Sequence, residues 1–275
     1  MSAAALDDSR RAEAARLLLD AYGTGKPVAP LSELEPGLTV SDAYDIQLRQ
    51  VRTWTEAGRR IAGHKVGLTA RPMQRQLGVG EPDYGHLLDT HFHPEHTPID
   101  TGRFLQPKAE PEIAFVLGRP LSGPGVTAAE AAAAVEYVLP ALEIIDSRIA
   151  DWRITLADTI ADNASCGGIV LGSRPTRPAD VDLALTGCLL LRNGRIEDTG
   201  AGGAVLGSPL NALVWLANTL GPLGVTLQAG EVVLPGSLTA ALPVAPGDTV
   251  TAHFDRLGSV TADFAPVHRT EEVSR

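Results

Sequence analysis

Two carboxylates, Glu110 and Glu112, stand one residue apart at the start of an apolar segment. A strand sends alternate side chains to opposite faces, so both acids are predicted to project together while Ile113, Phe115 and Leu117 form the other face. Carboxylates held this close repel, and a cation or a shared proton must compensate them. Mg²⁺ or Mn²⁺ would do so because these ions prefer oxygen ligands. A solvated acidic strand end would show the same spacing, so other residues must decide.

A third acid supports the metal interpretation. Glu143 lies inside an apolar run, where burial is costly unless the acid is paired or coordinated. Asp146, three residues later, is the competing ligand, but it stands beside Ser147 and Arg148, where a helix cap or a salt bridge would explain it equally well. The cost of burying an unpaired acid favours Glu143.

Two other groups of reactive residues are set aside. His91 and His93, together with His96, suggest zinc, but Pro94 breaks any helix there and no HExxH pattern exists, so we expect a surface loop. Cys166 would need a histidine base to act as a nucleophile, and the sequence places none beside it. We predict that Cys166 is a small buried residue.

Two amphipathic helices should begin the chain. The first covers roughly residues 8–22 and stops at Gly23, and the second has Ser41 as its cap and Gly58 just past its end. We expect residues 1–60 to form a helical cap and residues 61–268 a β-rich catalytic domain, both in one compact unit. Lys65 lies inside the first strand of that domain, where it is either a site residue or a lysine whose head reaches solvent.

Further elements follow from caps and turns. A short helix with Met73 and Leu77 and a turn-rich segment over residues 80–85 come first. Thr127 and Glu130 form a capping box that opens a helix ending before Pro140, which leads into a strand over residues 141–145. The last predicted elements are a hairpin at Asn193-Gly194, a helix from Ser208-Pro209 to Gly221, and short strands over residues 231–264.

Composition limits the classes of function. A length of 275 residues suits one large β-rich domain with a helical appendage, and the formal net charge of −10 argues against nucleic acid or anionic membrane as the main partner. Two cysteines without CxxC spacing suggest neither a disulfide framework nor a zinc knuckle. No signal peptide or membrane span is evident, so we expect a cytoplasmic protein.

The chain resembles the 2-keto-4-pentenoate hydratases (2-hydroxypenta-2,4-dienoate hydratases), within the fumarylacetoacetate hydrolase-like superfamily. The resemblance runs in order along nearly the whole sequence. It is carried by Gly63-His64-Lys65-Val66-Gly67-Leu68-Thr69, Pro82-Asp83-Tyr84-Gly85, Glu110-Pro111-Glu112-Ile113-Ala114-Phe115, Glu143-Ile144-Ile145-Asp146-Ser147-Arg148-Ile149, Asp162-Asn163-Ala164-Ser165-Cys166 and two later stretches, residues 199–218 and 230–238.

The resemblance implies an α+β fold, mixed and mostly β, with an N-terminal helical cap, built around Mg²⁺ or Mn²⁺. It places the metal ligands at Glu110, Glu112 and Glu143, an active-site lysine at Lys65 and a loop acid at Asp83. The same resemblance assigns substrate binding to Leu77, Ser165, Gly236 and Ser237. It further implies a homo-oligomer that can associate with a pathway decarboxylase or aldolase. Pro111 and His86 depart from the commonest family strings without removing a proposed ligand.

The implied reaction adds water to 2-hydroxypenta-2,4-dienoate, giving 4-hydroxy-2-oxopentanoate in aromatic meta-cleavage catabolism. The nearest alternative is the sister decarboxylase of 2-oxo-3-hexenedioate (4-oxalocrotonate), which uses the same metal site. A third hypothesis is a non-catalytic partner of that decarboxylase, against which the presence of Lys65, Asp83 and the three glutamates argues. A fourth is a C–C hydrolase of acylpyruvates.

Overall fold

The computed structural model describes residues 5–71, 74–75 and 78–266. Two sheets make up the β structure, in agreement with the predicted α+β, mostly-β class. The larger has the order β2-β1-β9-β4-β5-β6-β3 with β10 also paired to β4, and the smaller has the order β12-β11-β7-β8. The pairs β1–β9 and β3–β6 are parallel and the others antiparallel, so the larger sheet is mixed. The strands are β1 Ile61–Gly67, β2 Asp83–Leu88, β3 Phe92–His93, β4 Lys108–Leu117, β5 Val135–Ile145, β6 Cys166–Leu171, β7 Gly187–Arg192, β8 Arg195–Ala201, β9 Val232–Leu234, β10 Leu242–Pro243, β11 Thr249–Phe254 and β12 Gly258–Asp263.

Helices pack against β2 and β5 of the larger sheet. Among the described residues, none of them is both long and apolar enough to cross a membrane. The helices are α1 Asp8–Thr24, α2 Leu31–Leu34, α3 Val40–Glu56, α4 Ala128–Ala134, α5 Leu156–Ala161 and α6 Pro209–Leu220.

The long antiparallel pair β4–β5 is the centre of the fold. Its register sets Glu110 opposite Glu143. The predicted alternation holds, because Ile113, Phe115 and Leu117 belong to the main hydrophobic core on one face. The alternate residues of the same strands, after the glutamates, pack into a second core on the opposite face. The acids therefore lie on the face of the second core.

The N-terminal helices pack on α5 and on the end of β2 through two small apolar clusters. Helix α3 also makes buried polar contacts. The side-chain amide of Gln47 donates to the carbonyl oxygens of Tyr84, at 3.0 Å, and Ile160, at 2.8 Å. That of Gln50 donates to the carbonyl oxygen of Ala161 at 2.7 Å. The first helices thus hold the backbone of β2 and α5 in place.

Two local predictions were wrong, the cap of the second helix and the start of the strand predicted over residues 141–145. The cap of α3 is Thr39, whose hydroxyl accepts the Asp42 N–H in a capping box, and Ser41 lies inside the first turn. Helix α4 opens at the predicted capping box but ends at Ala134, and the following strand runs through Pro140. Proline excludes a helix interior, but here it occupies a strand position opposite Ile113.

The segment predicted to be turn-rich also differs in part. Residues from Asp83 onward belong to β2, because they pair with β1. The hairpin at Asn193-Gly194 is confirmed, with φ of 52° and 77° as its tight turn requires. Helix α6 likewise begins at Pro209 and is followed by Gly221. Met73 and Leu77 lie outside the described residues, so the short helix predicted around them stays a prediction.

Candidate active site

The structure brings Glu110, Glu112 and Glu143 together. One carboxylate oxygen from each lies within 4.8 Å of the others. Glu110 and Glu112 meet because they are two residues apart on β4, and Glu143 joins them through strand pairing. Glu112 and Glu143 are buried, at 1% and 0% exposure, whereas Glu110 is partly exposed to a cavity.

Burial leaves these three acids with too few hydrogen bonds and positive charges to offset their negative charge. Removal from water raises the pKa of all three carboxyl groups, and together with the neighbouring Glu143 charge it raises that of Glu110 to about 7. Glu112 accepts the backbone N–H of Gly236 at 2.7 Å. Neither carboxylate oxygen of Glu143 has a hydrogen-bond partner within the described part of the chain. Three close, under-satisfied oxygen donors fit a hard divalent cation.

Lys65 supplies a positive charge beside this cluster. Its ammonium nitrogen lies 3.4 Å from Glu143 Oε1 and donates to the carbonyl oxygen of Ala164 at 2.9 Å. Burial alone would lower the pKa of Lys65, but Glu143 and the other nearby carboxylates raise it above its usual value. With 5% of its surface exposed, Lys65 is a buried cation.

Asp83 faces the same site from the first position of β2. It pairs across the ladder with Gly67, and a Cβ on that glycine would lie 2.1 Å from Asp83 Oδ1. Burial raises the pKa of Asp83, while the charge of Lys65 lowers it less. Both carboxylate oxygens are buried, and neither has a hydrogen-bond partner among the residues the structure describes. A carboxyl group in this state is suited to exchanging protons.

A strained loop, residues 163–165, packs against β1 and β2 and forms another wall of the site. Asn163, Ala164 and Ser165 have consecutive φ angles of 52°, 50° and 54°, in the left-handed region that such residues rarely occupy. The Asn163 side chain holds the loop to β2 by accepting the His86 N–H at 2.8 Å and donating to the His86 carbonyl oxygen at 2.9 Å. Ser165 Oγ lies 3.4 Å from Thr159 Oγ1.

These elements enclose a cavity of about 280 Å³. Its walls combine the charged groups of the site with apolar side chains. They are Lys65, Gly67, Leu68, Asp83, Lys108, Glu110, Ile145, Trp152, Ile154, Thr159, Ala164, Ser165 and Ala241.

The other predicted residues differ in position. Ser165 is on the cavity wall, whereas Gly236 supports Glu112 and the Ser237 hydroxyl donates to the Pro111 carbonyl oxygen at 3.5 Å. Leu77 lies outside the described residues. Asp146, the competing ligand, instead accepts the backbone N–H groups of residues 105 and 106, which lead into β4.

Sequence reasoning missed a buried ion pair behind the loop. Arg148 is fully buried, and its Nε donates to Asp162 Oδ1 at 2.6 Å. The same guanidinium donates to the carbonyl oxygens of Asp162 and Cys166, at 2.8 and 3.0 Å. Both charged residues are visible in the sequence, but their pairing depends on the fold, which joins positions 14 residues apart.

The prediction for His91 was wrong. Only 8% of this residue is exposed, and its Nδ1 lies 3.4 Å from Cys166 Sγ, so a histidine does stand beside the cysteine. The same Nδ1 accepts the Leu88 N–H at 3.2 Å. Burial lowers the pKa of His91 to about 3 and raises that of Cys166. A neutral thiol and a neutral imidazole do not form an activated nucleophile, and Cys166 is buried as predicted.

Residues 59–265 match the family model of the fumarylacetoacetate hydrolase C-terminal region. The chain therefore belongs to the fumarylacetoacetate hydrolase family, as its sequence resemblance predicted. A solved structure of the same fold, 4-oxalocrotonate decarboxylase from Pseudomonas putida G7 complexed with magnesium and adipate, has a TM-score of 0.90 and 37% identity. That comparison covers 94% of this chain and 98% of the decarboxylase.

Within this family the chain groups with hydratases. It is 49% identical over 255 residues to a 2-keto-4-pentenoate hydratase from Paraburkholderia xenovorans, covering 93% of this chain and 95% of that relative. It is 43% identical to a 2-hydroxyhexa-2,4-dienoate hydratase from Comamonas testosteroni, covering 90% and 94%. The protein is accordingly an enzyme of the hydratase class.

Proposed function

We propose that this enzyme adds water to 2-hydroxypenta-2,4-dienoate, or a close relative of it, and forms 4-hydroxy-2-oxopentanoate. One observation carries the proposal. Three neighbouring glutamates, two of them buried and the third on the cavity wall, lie beside Lys65 and Asp83 in a chain 49% identical to a 2-keto-4-pentenoate hydratase.

The oxygen donors of Glu110, Glu112 and Glu143 would hold Mg²⁺ or Mn²⁺, and the related decarboxylase is complexed with magnesium. When bound, such an ion supplies Lewis acidity and a template for the substrate carboxylate and 2-oxygen. The N–H of Gly236 would keep Glu112 oriented, and Lys65 would keep Glu143 in place while offsetting part of the negative charge.

Asp83 is our candidate for proton transfer. Its buried carboxylate would accept the proton of the substrate 2-hydroxyl and deliver a proton to carbon 5, which produces the unsaturated 2-keto acid. Carbon 4 of that acid is electrophilic because it is conjugated with the 2-keto group. Water adds its oxygen at carbon 4 and a proton at carbon 3, and Asp83 would orient that water.

Lys65 would act as a fixed cation. Its raised pKa keeps the ammonium protonated, so it can stabilise negative charge on the 2-oxygen but does not supply a free amine for a Schiff base. Ser165, on the wall beside Thr159, would contact the substrate directly. Gly236, Ser237 and Leu77 complete the proposed binding set, the first through its contact with Glu112.

The second candidate is the decarboxylation of 2-oxo-3-hexenedioate. It is favoured by the TM-score of 0.90 with 4-oxalocrotonate decarboxylase. Identity is higher to the hydratase relatives, at 49% against 37%, which supports hydration as the first choice.

The decisive experiment uses the pure protein, stripped of metal and then restored with Mg²⁺ or Mn²⁺. Fresh 2-hydroxypenta-2,4-dienoate is followed by ultraviolet absorbance and the product is identified by mass. We expect a metal-dependent gain of one water. Loss of the dienol without gain of water would show that the enzyme catalyses only its tautomerisation. Turnover of the six-carbon diacid alone, with release of CO₂, would establish the decarboxylase. Inactivity on both would support a non-catalytic partner.

We further propose a cytoplasmic homo-oligomer, which can associate with a decarboxylase or aldolase of the same pathway. Both cysteines are free and buried, as suits a reducing compartment. Light scattering of the pure protein tests the oligomer, and co-purification with the partner enzymes tests the association.

A further inference from the structure

Lys108 presents a second positive charge to the cavity. Its ammonium nitrogen lies 4.0 Å from the ring centroid of Trp152, and both side chains line the cavity wall. No salt bridge within 4.0 Å joins this nitrogen to a carboxylate of the described residues, although the charge of Glu110 acts on it. Lys65 differs, because Glu143 and the Ala164 carbonyl oxygen already engage it. Among the described residues, Lys108 is therefore the cation on the cavity wall that forms no salt bridge.

Strand geometry places Lys108 next to the acidic cluster. It lies two residues before Glu110 on β4, so both side chains project from the same face. The pairs Lys108–Ile145 and Glu110–Glu143 are successive steps of the ladder on that face. Along this face of β4, the exposed fraction of the side chains increases from the buried Glu112 to the half-buried Lys108. The lysine thus stands on the solvent side of the carboxylates.

The indole beneath Lys108 is fixed by its own contacts. Trp152 Nε1 donates to the Gln106 carbonyl oxygen at 3.1 Å. The Gln106 side chain in turn donates to the carbonyl oxygens of Ser147 and Ile149, at 3.0 and 2.8 Å. Trp152 itself has a left-handed φ of 54°. These contacts hold the Trp152 ring in the position where it makes a cation–π contact with Lys108, at the cost of a strained backbone.

We propose that Lys108 binds the carboxylate of the substrate. This inference rests on the proposed function and names the group that recognises the acid at the same site. A carboxylate has two oxygens, so a contact with Lys108 leaves the other oxygen for the metal. The cavity wall around the lysine is apolar, with Ile145, Ile154 and Ala241.

The test measures binding and does not require turnover. The probe is 2-oxopentanoate, which keeps the carboxylate and the 2-oxygen but has no double bond to hydrate. Its affinity for the Mg²⁺-loaded enzyme is measured by titration calorimetry for the wild type and for Lys108→Met, Lys108→Arg and Trp152→Phe. The chain has three lysines, and Lys26→Met on the exposed surface is the matched control.

We expect Lys108→Met to raise the Kd at least about tenfold, as for the loss of a charge-assisted contact, and Lys108→Arg to recover most of the affinity. Trp152→Phe, which keeps a ring but weakens the support, should have an intermediate Kd, and Lys26→Met that of the wild type. The methyl ester of the same acid should bind weakly to all variants, with no difference between them.

Three results would overturn the inference. The first is wild-type affinity of Lys108→Met for 2-oxopentanoate. The second is a loss confined to 2-oxohexanedioate, which would assign the lysine to a distal carboxylate. The third is a parallel loss of Mn²⁺ affinity, which would make the effect one of metal binding. Because the probe is not hydrated, an enzyme that binds it normally but fails to hydrate the dienoate would refute the proposed function alone.

Discussion

Glu110 and Glu143 stand directly opposite each other in the antiparallel ladder of β4 and β5. Strand pairing therefore puts the partly exposed Glu110 and the buried Glu143 on one face, and Glu112 joins them from the next position of that face. Such an arrangement costs stability unless a cation binds, because like charges repel strongly at low solvent exposure.

Glu110→Gln should weaken binding of Mg²⁺ and Mn²⁺ by at least about tenfold, since it removes one charged ligand, and activity should fall with it. The metal-free variant should be at least as stable as the metal-free wild type, because one negative charge has been removed from the cluster. Calorimetric titration of Mn²⁺ and thermal unfolding in EDTA measure the two effects. Unchanged metal affinity would remove Glu110 from the ligand set.

Asp83→Asn should retain the metal and lose turnover. The amide keeps the shape of the side chain but can neither accept nor deliver a proton at neutral pH, so kcat should fall by about 10²- to 10⁴-fold. Metal affinity measured on the same sample is the control. A variant with the kcat of the wild type would exclude Asp83 from the mechanism.

Gly67→Ala tests the position of Asp83 without altering the acid. The new methyl group would lie 2.1 Å from Asp83 Oδ1, so the carboxylate must move. We expect a lower kcat with little change in unfolding temperature, because the carboxylate is the end of a side chain that can turn aside. In an Asp83→Asn background the same substitution should cost little further activity. Fully additive losses would show that Gly67 acts independently of Asp83.

The buried histidines predict loss of stability in acid. Burial lowers the pKa of His86 to about 4, and it also lowers those of His91 and of His64, whose ring lies beside His86. Such a histidine does not change the free energy of unfolding above about pH 6.5, where it is neutral in both states. As the pH falls from about 6.5 towards 4, the unfolded chain takes up the proton before the folded protein does, so the free energy of unfolding decreases.

Urea unfolding between pH 7 and 4 measures this effect. His86→Phe should reduce the slope of unfolding free energy against pH by up to about 1.4 kcal/mol per pH unit. His96→Asn is the control, since His96 is exposed and its left-handed φ of 61° suits asparagine. Equal slopes for His86→Phe and the wild type would show that His86 titrates normally in the folded state.

The acidic cluster could be predicted because it depends on local rules. A period of two puts Glu110 and Glu112 on one face, and the burial cost of an acid in an apolar run selects Glu143 over Asp146. The Cys166–His91 contact could not, since it joins residues that are far apart in sequence and meet only when β6 and β3 pair. Asp83 could be predicted only in part. Family resemblance found the residue, but only the pairing of β1 with β2 shows that it begins a strand opposite Gly67.

Errors at element boundaries had a local cause. Ser41 and Thr39 are both good helix caps, and the choice between them depends on Asp42, which completes a capping box with Thr39. Pro140 excluded a helix correctly but gave no information about where the strand begins.

The glutamines of α3 bear on how far the chain can be shortened. The family match begins at residue 59, yet Gln47 and Gln50 hold three carbonyl groups that belong to β2 and α5. A fragment cut at residue 60 would leave those carbonyls without their donors and would expose the apolar surface under Trp54 and Ile46. We propose that the segment shared across the family is not an independent folding unit, and that this truncated enzyme would be insoluble.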